Sequence, residues 1–124
     1  MESITLNNGL KMPAAGIGVF MLTPDQAEAS VTAALNSGVR LIDTANGYMN
    51  ESATGRGIKK SGVAREDIFL VTKLWPTVYE KETAVEETLA RLGTGYIDLL
   101  FLHQPTANWR EGYKTIEKAV KAGK

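Results

Sequence analysis

Apolar and polar positions along the chain follow two alternating periods. Short apolar runs at Gly16-Ile17-Gly18-Val19-Phe20, Leu41-Ile42, Ile68-Phe69-Leu70-Val71-Thr72 and Ile97 to Leu102 read as strands. The last two are nearly continuous, as expected of strands buried on both faces of a parallel sheet. Helical spacing follows each run. Thr23-Pro24-Asp25-Gln26 is a helix start, with Thr23 as N-cap, Pro24 in the first turn and Gln26 closing a reciprocal cap, and Val31, Ala34, Leu35 and Gly38 share the face behind it. A second helix runs from Asn50 to Lys60 and stops at Ser61-Gly62. Its internal Gly55 and Gly57 cost about 1 kcal/mol each in helix propensity, so either a close neighbour needs the room or the helix is weak. A third passes through Thr83, Val85, Leu89 and Leu92 to Gly93, with Glu80, Glu82, Glu86 and Glu87 early, where they suit the helix dipole. The fourth is expected to start at Asn108, capped with Glu111, to bury a Trp109, Tyr113, Ile116, Val120 stripe, and to stop at Gly123.

Ahead of these units, Thr5 to Met12 reads as a hairpin whose Asn8-Gly9 supplies a two-residue primed turn, with Pro13 ending it. The expected organisation is one α/β domain over residues 1–124: a hairpin at about 4–13, then four strand-helix units. Right-handed crossovers make the four strands parallel. A sheet curling as a barrel would carry all four helices on one side, and an open sheet would carry them on both. The pattern leaves both open.

Composition narrows the function classes. At 44% apolar and 23% charged over 124 residues, the chain can build one real core. Fourteen basic residues balance fourteen acidic ones, so no electrostatic footprint for nucleic acid or an anionic membrane is visible. Absence of cysteine removes disulfides and thiolate metal sites, and one histidine argues against a zinc site. No run reaches the length of a membrane span and the N-terminus lacks a signal-peptide pattern, so the expected location is the cytoplasm.

Candidate chemistry gathers at the ends of the apolar runs. Asp43, Lys73 and His103 each close one run, and they recur at intervals of thirty residues, the length of one strand-helix unit. Tyr48 follows Asp43 on the same strand-to-helix loop. An ammonium beside a phenol lowers the pKa of that phenol, a carboxylate can hold the ammonium, and a neutral imidazole can orient a carbonyl oxygen. Taken singly, Asp43 reads as a turn residue, Tyr48 as packing, Lys73 as a solvated loop lysine and His103 as a strand-end residue bonded to backbone. Their joint placement favours a site that polarises and protonates a carbonyl, with a borrowed hydride if the reaction is a reduction.

The segments Gly-Ile-Gly-Val-Phe, Leu-Ile-Asp-Thr-Ala with Tyr48 and Asn50-Glu51, Val-Thr-Lys-Leu-Trp, and Tyr-Ile-Asp-Leu-Leu-Phe-Leu-His-Gln-Pro together resemble the aldo-keto reductase family in its small bacterial style. The resemblance implies a (β/α)8 barrel plugged by the hairpin and NADPH-dependent reduction of aldehydes and ketones. It implies Tyr48 as general acid, Lys73 depressing its pKa, Asp43 holding Lys73 and also touching the cofactor, and His103 orienting the substrate. Val19, Phe20 and Met21 align with the loop beside the nicotinamide. Phe20 and Trp75 would wall the substrate pocket, and Gln104 stands where many members carry Trp.

A (β/α)8 barrel takes roughly 250 residues, so the resemblance covers its N-terminal (β/α)4 half. The phosphate and adenine contacts of the family belong to the other half. An opened barrel has two free strand edges and would expose inward apolar positions such as Ile42, Val71, Leu100 or Leu102, depending on pleat register. Each such side chain is worth about 1.5–3 kcal/mol when buried. The expectation is therefore self-association or a complementary half-barrel, or else a flatter sheet with helices on both faces. The alternative to a reductase of small carbonyl compounds is a catalytically idle half-barrel that self-associates or binds a partner.

Overall fold

The computed structural model describes residues 1–124. Strands β1 (Ser3–Thr5) and β2 (Lys11–Pro13) form an antiparallel hairpin. Then follow β3 (Ile17–Gly18), α1 (Pro24–Asn36), β4 (Leu41–Asp43), α2 (Glu51–Ser61), β5 (Phe69–Leu74), α3 (Ala84–Leu92), β6 (Leu99–Leu102) and α4 (Trp109–Lys121). The main sheet has the order β3-β4-β5-β6 with every neighbouring pair parallel. Helices pack in one continuous row, α1 on α2, α2 on α3 and α3 on α4. This is the one-sided arrangement of a barrel wall, and the two-faced open sheet is not what forms.

Register decides which residues face the helices. Ile17, Ile42 and Leu70 align across three strands, and Leu74 pairs with Leu102. The first group packs with Ala27, Val31, Leu35, Ala53 and Leu92, while Leu74 packs with Tyr79, Ala84, Val85, Leu89 and Ala119, beside Leu100 and Leu102. The register therefore turns Ile42, which is buried, and Leu100 and Leu102, which are half-buried, toward the helices, so these three are not among the inward positions that an opened barrel would expose. The opposite face carries Gly18, Asp43, Val71 and Leu99 in one row and Lys73 beside Phe101 in the next. Val71 on that face is buried, and Phe101 at the sheet edge is 46% exposed.

Local signals explain most boundaries. Thr23 Oγ1 accepts from the Gln26 N–H and Gln26 Oε1 accepts from the Thr23 N–H, so the reciprocal cap of α1 forms as the sequence requires. Gly57 lets α1 and α2 touch: a methyl group there would lie 2.8 Å from the Glu28 carbonyl oxygen. Gly55 opens the same kind of room for the Leu92 backbone, so the α2 glycines serve close packing.

Three details differ from the sequence reading. The hairpin loop is three residues long, closed between Leu6 and Leu10, and only Gly9 (φ +86°) is left-handed, so it is not a two-residue primed turn. Asn108 caps α4 by position only; its side chain accepts from Thr106 and donates to the Pro76 carbonyl. The α4 stripe is turned. Gly112 and Ala119 face the sheet while Trp109, Tyr113 and Val120 are 43%, 54% and 72% exposed. Tyr79 and Leu102 already fill the space against Gly112, which leaves room only for small residues on that side.

Candidate active site

Three strand ends deliver the ionisable groups to one place. Asp43 ends β4, and the chain then turns through a 3-10 turn, Asn46–Tyr48, which closes with Met49 in the left-handed region (φ 58°). That turn brings Tyr48 back over the strand ends. Lys73 lies on the same sheet face as Asp43, one strand over, because Asp43 pairs with Val71 and side chains alternate. Its ammonium donates to Asp43 Oδ1 at 2.7 Å and to the Thr44 carbonyl oxygen at 2.9 Å, and it stands 3.5 Å from Tyr48 Oη. Both members of the ion pair are largely shielded from water, so the pair is screened less than a surface one.

His103 follows β6, its N–H donating to the Leu74 carbonyl oxygen at 3.0 Å. The imidazole stands edge-on to Tyr48 (5.7 Å between centroids, 82°) and to Trp75 (5.2 Å, 88°). Burial lowers its pKa from the ordinary histidine value, the Lys73 ammonium lowers it further, and Asp43 opposes them. The ring is therefore held toward its neutral form. Nδ1 is sealed from solvent with no hydrogen-bond partner.

Structure thus brings Asp43, Tyr48, Lys73 and His103 together. Phe20 packs at 5.0 Å from Tyr48, and its neighbour Met21 is 82% exposed at the rim. Val19 is placed differently: its side chain is fully buried in the helix-side core, which leaves only its backbone toward the site. Trp75 lines the site against His103, while the Gln104 side chain lies at the exposed end of the next loop.

Several supporting residues have no counterpart among the sequence candidates. Asn50 donates to the Val19 and Leu22 carbonyl oxygens at 2.9 and 3.2 Å and accepts from Thr44 Oγ1 at 2.9 Å. It locks the Phe20 loop to the Tyr48 loop. Asn46 accepts from the Trp75 N–H at 3.2 Å and donates to Glu51 and Thr88, tying the Tyr48 loop to the Trp75 loop. Buried Glu51 also accepts from Arg91 at 2.9 Å and from Thr72 at 2.7 Å. In the sequence Asn50-Glu51 stands out as a helix start and as part of the family-like segment, with no role of its own for either side chain.

At one end of this arrangement an open aromatic face beside the phenol is compatible with a flat ring such as a nicotinamide. Phe20 lies exposed beside Tyr48, with Met21 exposed next to it in the chain, on a loop that Asn50 holds in place. Groups for the remainder of a dinucleotide are a different matter. In the loops after the four strands, 19–23, 44–50, 75–83 and 103–108, the only cation is Lys81, which pairs with Glu87, and Lys73 is engaged by Asp43.

The family model described as the Aldo/keto reductase family matches residues 14–124. The chain belongs to this family. Among the relatives of this aldo/keto reductase chain, morphine 6-dehydrogenase from Pseudomonas putida is 44% identical over 98% of the chain and 43% of the relative. Glyoxal reductase from Bacillus subtilis is 41% identical over 99% of the chain and 46% of the relative. Among solved structures, an aldo/keto reductase from Brucella melitensis superposes with a TM-score of 0.92 at 39% identity, covering 98% of this chain and 50% of that one. An aldo-keto reductase from a Medee basin deep-sea metagenome library does so with the same TM-score at 42% identity, covering 99% and 46%. The chain spans about half the length of the relatives it matches. The four-stranded wall is therefore half of a TIM-type barrel, as the resemblance implied. No helix is long and apolar enough to cross a membrane.

Proposed function

We propose that this chain carries the catalytic half of an NADPH-dependent reductase of small aldehydes and ketones, acting in the cytoplasm. The observation that carries the reading is the placement of one ammonium 2.7 Å from Asp43 Oδ1 and 3.5 Å from Tyr48 Oη, with the His103 ring edge-on to the same phenol. Tyr48 gives its proton to the carbonyl oxygen of the substrate. Lys73 stabilises the negative charge that develops on Oη as that proton leaves, and Asp43 fixes the ammonium for that task. His103, neutral and with Nδ1 sealed inside, orients the carbonyl through Nε2. Phe20, Met21 and the Val19 backbone hold the nicotinamide end of the cofactor, while Phe20, Trp75 and Gln104 bound the substrate. When bound, NADPH supplies the hydride that the side chains cannot. A relative named glyoxal reductase makes glyoxal a reasonable first substrate.

One observation favours a second reading for the isolated 124 residues: no unpaired cation lies on the loops after the strands to grip phosphate. In that reading the tetrad is idle without another half. An NADPH titration followed through Trp75 fluorescence separates the two. Saturable micromolar binding, with turnover of small aldehydes that Tyr48→Phe abolishes while the fold persists, supports the reductase. No binding at millimolar cofactor supports the idle half-barrel.

A further inference from the structure

Trp75 borders two spaces. Toward the tetrad it meets the imidazole of His103 edge-on at 5.2 Å. It also walls a separate cavity of about 580 Å³ between the Tyr48 loop and the loop after β5, with Gly47, Met49, Thr77, Val78 and Arg91 around it. None of Asp43, Tyr48, Lys73 and His103 lines that cavity. The two loops follow β4 and β5, each of which has both of its neighbouring strands within the chain, so the free edges of the sheet take no part in it. Gly47 makes room for the wall: a methyl group there would lie 3.1 Å from Trp75 Cε3.

The chemistry of the lining selects an occupant. Met49, Trp75 and Val78 supply apolar surface, and the indole of Trp75 is flat, which suits a planar apolar body. The charged side of the cavity offers a donor and no free carboxylate. Buried Glu51 has both oxygens taken, Oε1 by Asn46 and Arg91 and Oε2 by Thr72. Arg91, 42% exposed, gives Nε to Glu51 and Nη2 to Thr88, and its Nη1 has no partner in the chain. A guanidinium can serve one carboxylate from Nε and a second from its outer nitrogens. We propose that this cavity binds a small carboxylate with a flat apolar body, the carboxylate on Arg91 and the body between Met49 and Val78 against Trp75. The bound molecule braces the indole that stands against His103, so its arrival is felt at the imidazole. The inference rests on the cavity and does not need the reductase reading.

Titration with phenylacetate, followed by NMR through the indole N–H resonances of Trp75 and Trp109, tests the proposal. Trp109 on α4 does not line the cavity and serves as the internal control. A saturable shift of Trp75 and of the His103 ring, with Trp109 still, is expected by about 10 mM probe. Phenylacetamide keeps the shape without the charge and should bind about tenfold more weakly. Arg91→Lys keeps a cation for Glu51 but loses the forked donor, and should weaken phenylacetate about fivefold or more. Met49→Glu, at an 84% exposed position, should weaken it by repulsion, with circular dichroism verifying that each variant is folded. In His103→Gln the Trp75 midpoint should hold to within about threefold. Absence of a Trp75 shift, equal affinity for the amide, or binding indifferent to both Arg91→Lys and Met49→Glu overturns the proposal. Binding lost in His103→Gln overturns it equally, because the probe then sits among the tetrad.

Discussion

The buried phenol of Tyr79 donates to the carbonyl oxygen of Gln104 at 2.8 Å and accepts from the N–H of the same residue at 3.0 Å. Gln104 directly follows His103, so this double bond fixes the backbone on which the imidazole is mounted. Removing the hydroxyl in Tyr79→Phe keeps the ring packing on Gly112 and strips both contacts. Water can reach the exposed Gln104, so the expected loss is about 1–2 kcal/mol in a urea titration. It should come with broadened or shifted imidazole resonances of His103. Unchanged stability together with unchanged resonances would show that the loop holds itself.

Glu51 and Arg91 should respond unequally to mutation. The carboxylate is 1% exposed and the guanidinium 42%. Glu51→Gln keeps an amide oxygen to accept from Asn46, turns its NH2 toward the Thr72 hydroxyl, which can accept, and frees Arg91 into water. Arg91→Leu leaves a buried carboxylate without its cation, at a cost of about 3 kcal/mol. Urea midpoints should therefore drop roughly twice as far for Arg91→Leu as for Glu51→Gln. Equal drops would mean that the carboxylate is satisfied by Thr72 and Asn46 alone.

The tetrad was legible in the sequence because strand ends coincide with the ends of apolar runs, and one period then sets Asp43, Lys73 and His103 at one edge of the sheet. Its supports were not. Tyr79 and Asn50 bond to backbone groups of distant loops, and a backbone carbonyl has no residue identity for a pattern to display. The α4 stripe shows the complementary limit. Periodicity identified Trp109, Tyr113, Ile116 and Val120 as one face but not what that face meets. Of the buried positions, Gly112 is small because Tyr79 and Leu102 already occupy the space there.

Asn50 is the residue on which the Phe20 loop depends. Replacing it by Ala leaves the Leu22 carbonyl and the Thr44 hydroxyl without a partner and the Val19 carbonyl with the Leu22 N–H alone, at an expected cost of about 2–3 kcal/mol. Asn50→Asp should be worse, since it sets a carboxylate oxygen against those two carbonyls. Hydrogen exchange is the direct measurement. Protection of the Val19 amide, which bonds the Asp43 carbonyl, and of the Leu22 amide, which bonds Val19, should fall in Asn50→Ala more than protection in the α2–α3 contact does. A uniform fall would reflect global destabilisation and remove the specific role.

His103, the only histidine, gives a single titrating imidazole for NMR. Its burial and then the Lys73 charge lower the pKa, so the folded midpoint should lie below the ordinary value of about 6.5. Lys73→Met removes a repelling charge and should raise the midpoint, while Asp43→Asn removes an attracting one and should lower it. The same shift fixes the sign of the effect on stability. As pH falls through about 6.5 the unfolded chain takes up its proton first, and between that point and the folded midpoint it binds more protons than the native state. Stability must therefore decline across this window on acidification, with no further contribution from His103 below the folded midpoint. His103→Gln should flatten that part of the curve. A wild-type midpoint at or above 6.5, or a slope that persists in His103→Gln, would show that the imidazole is not held neutral by burial and Lys73.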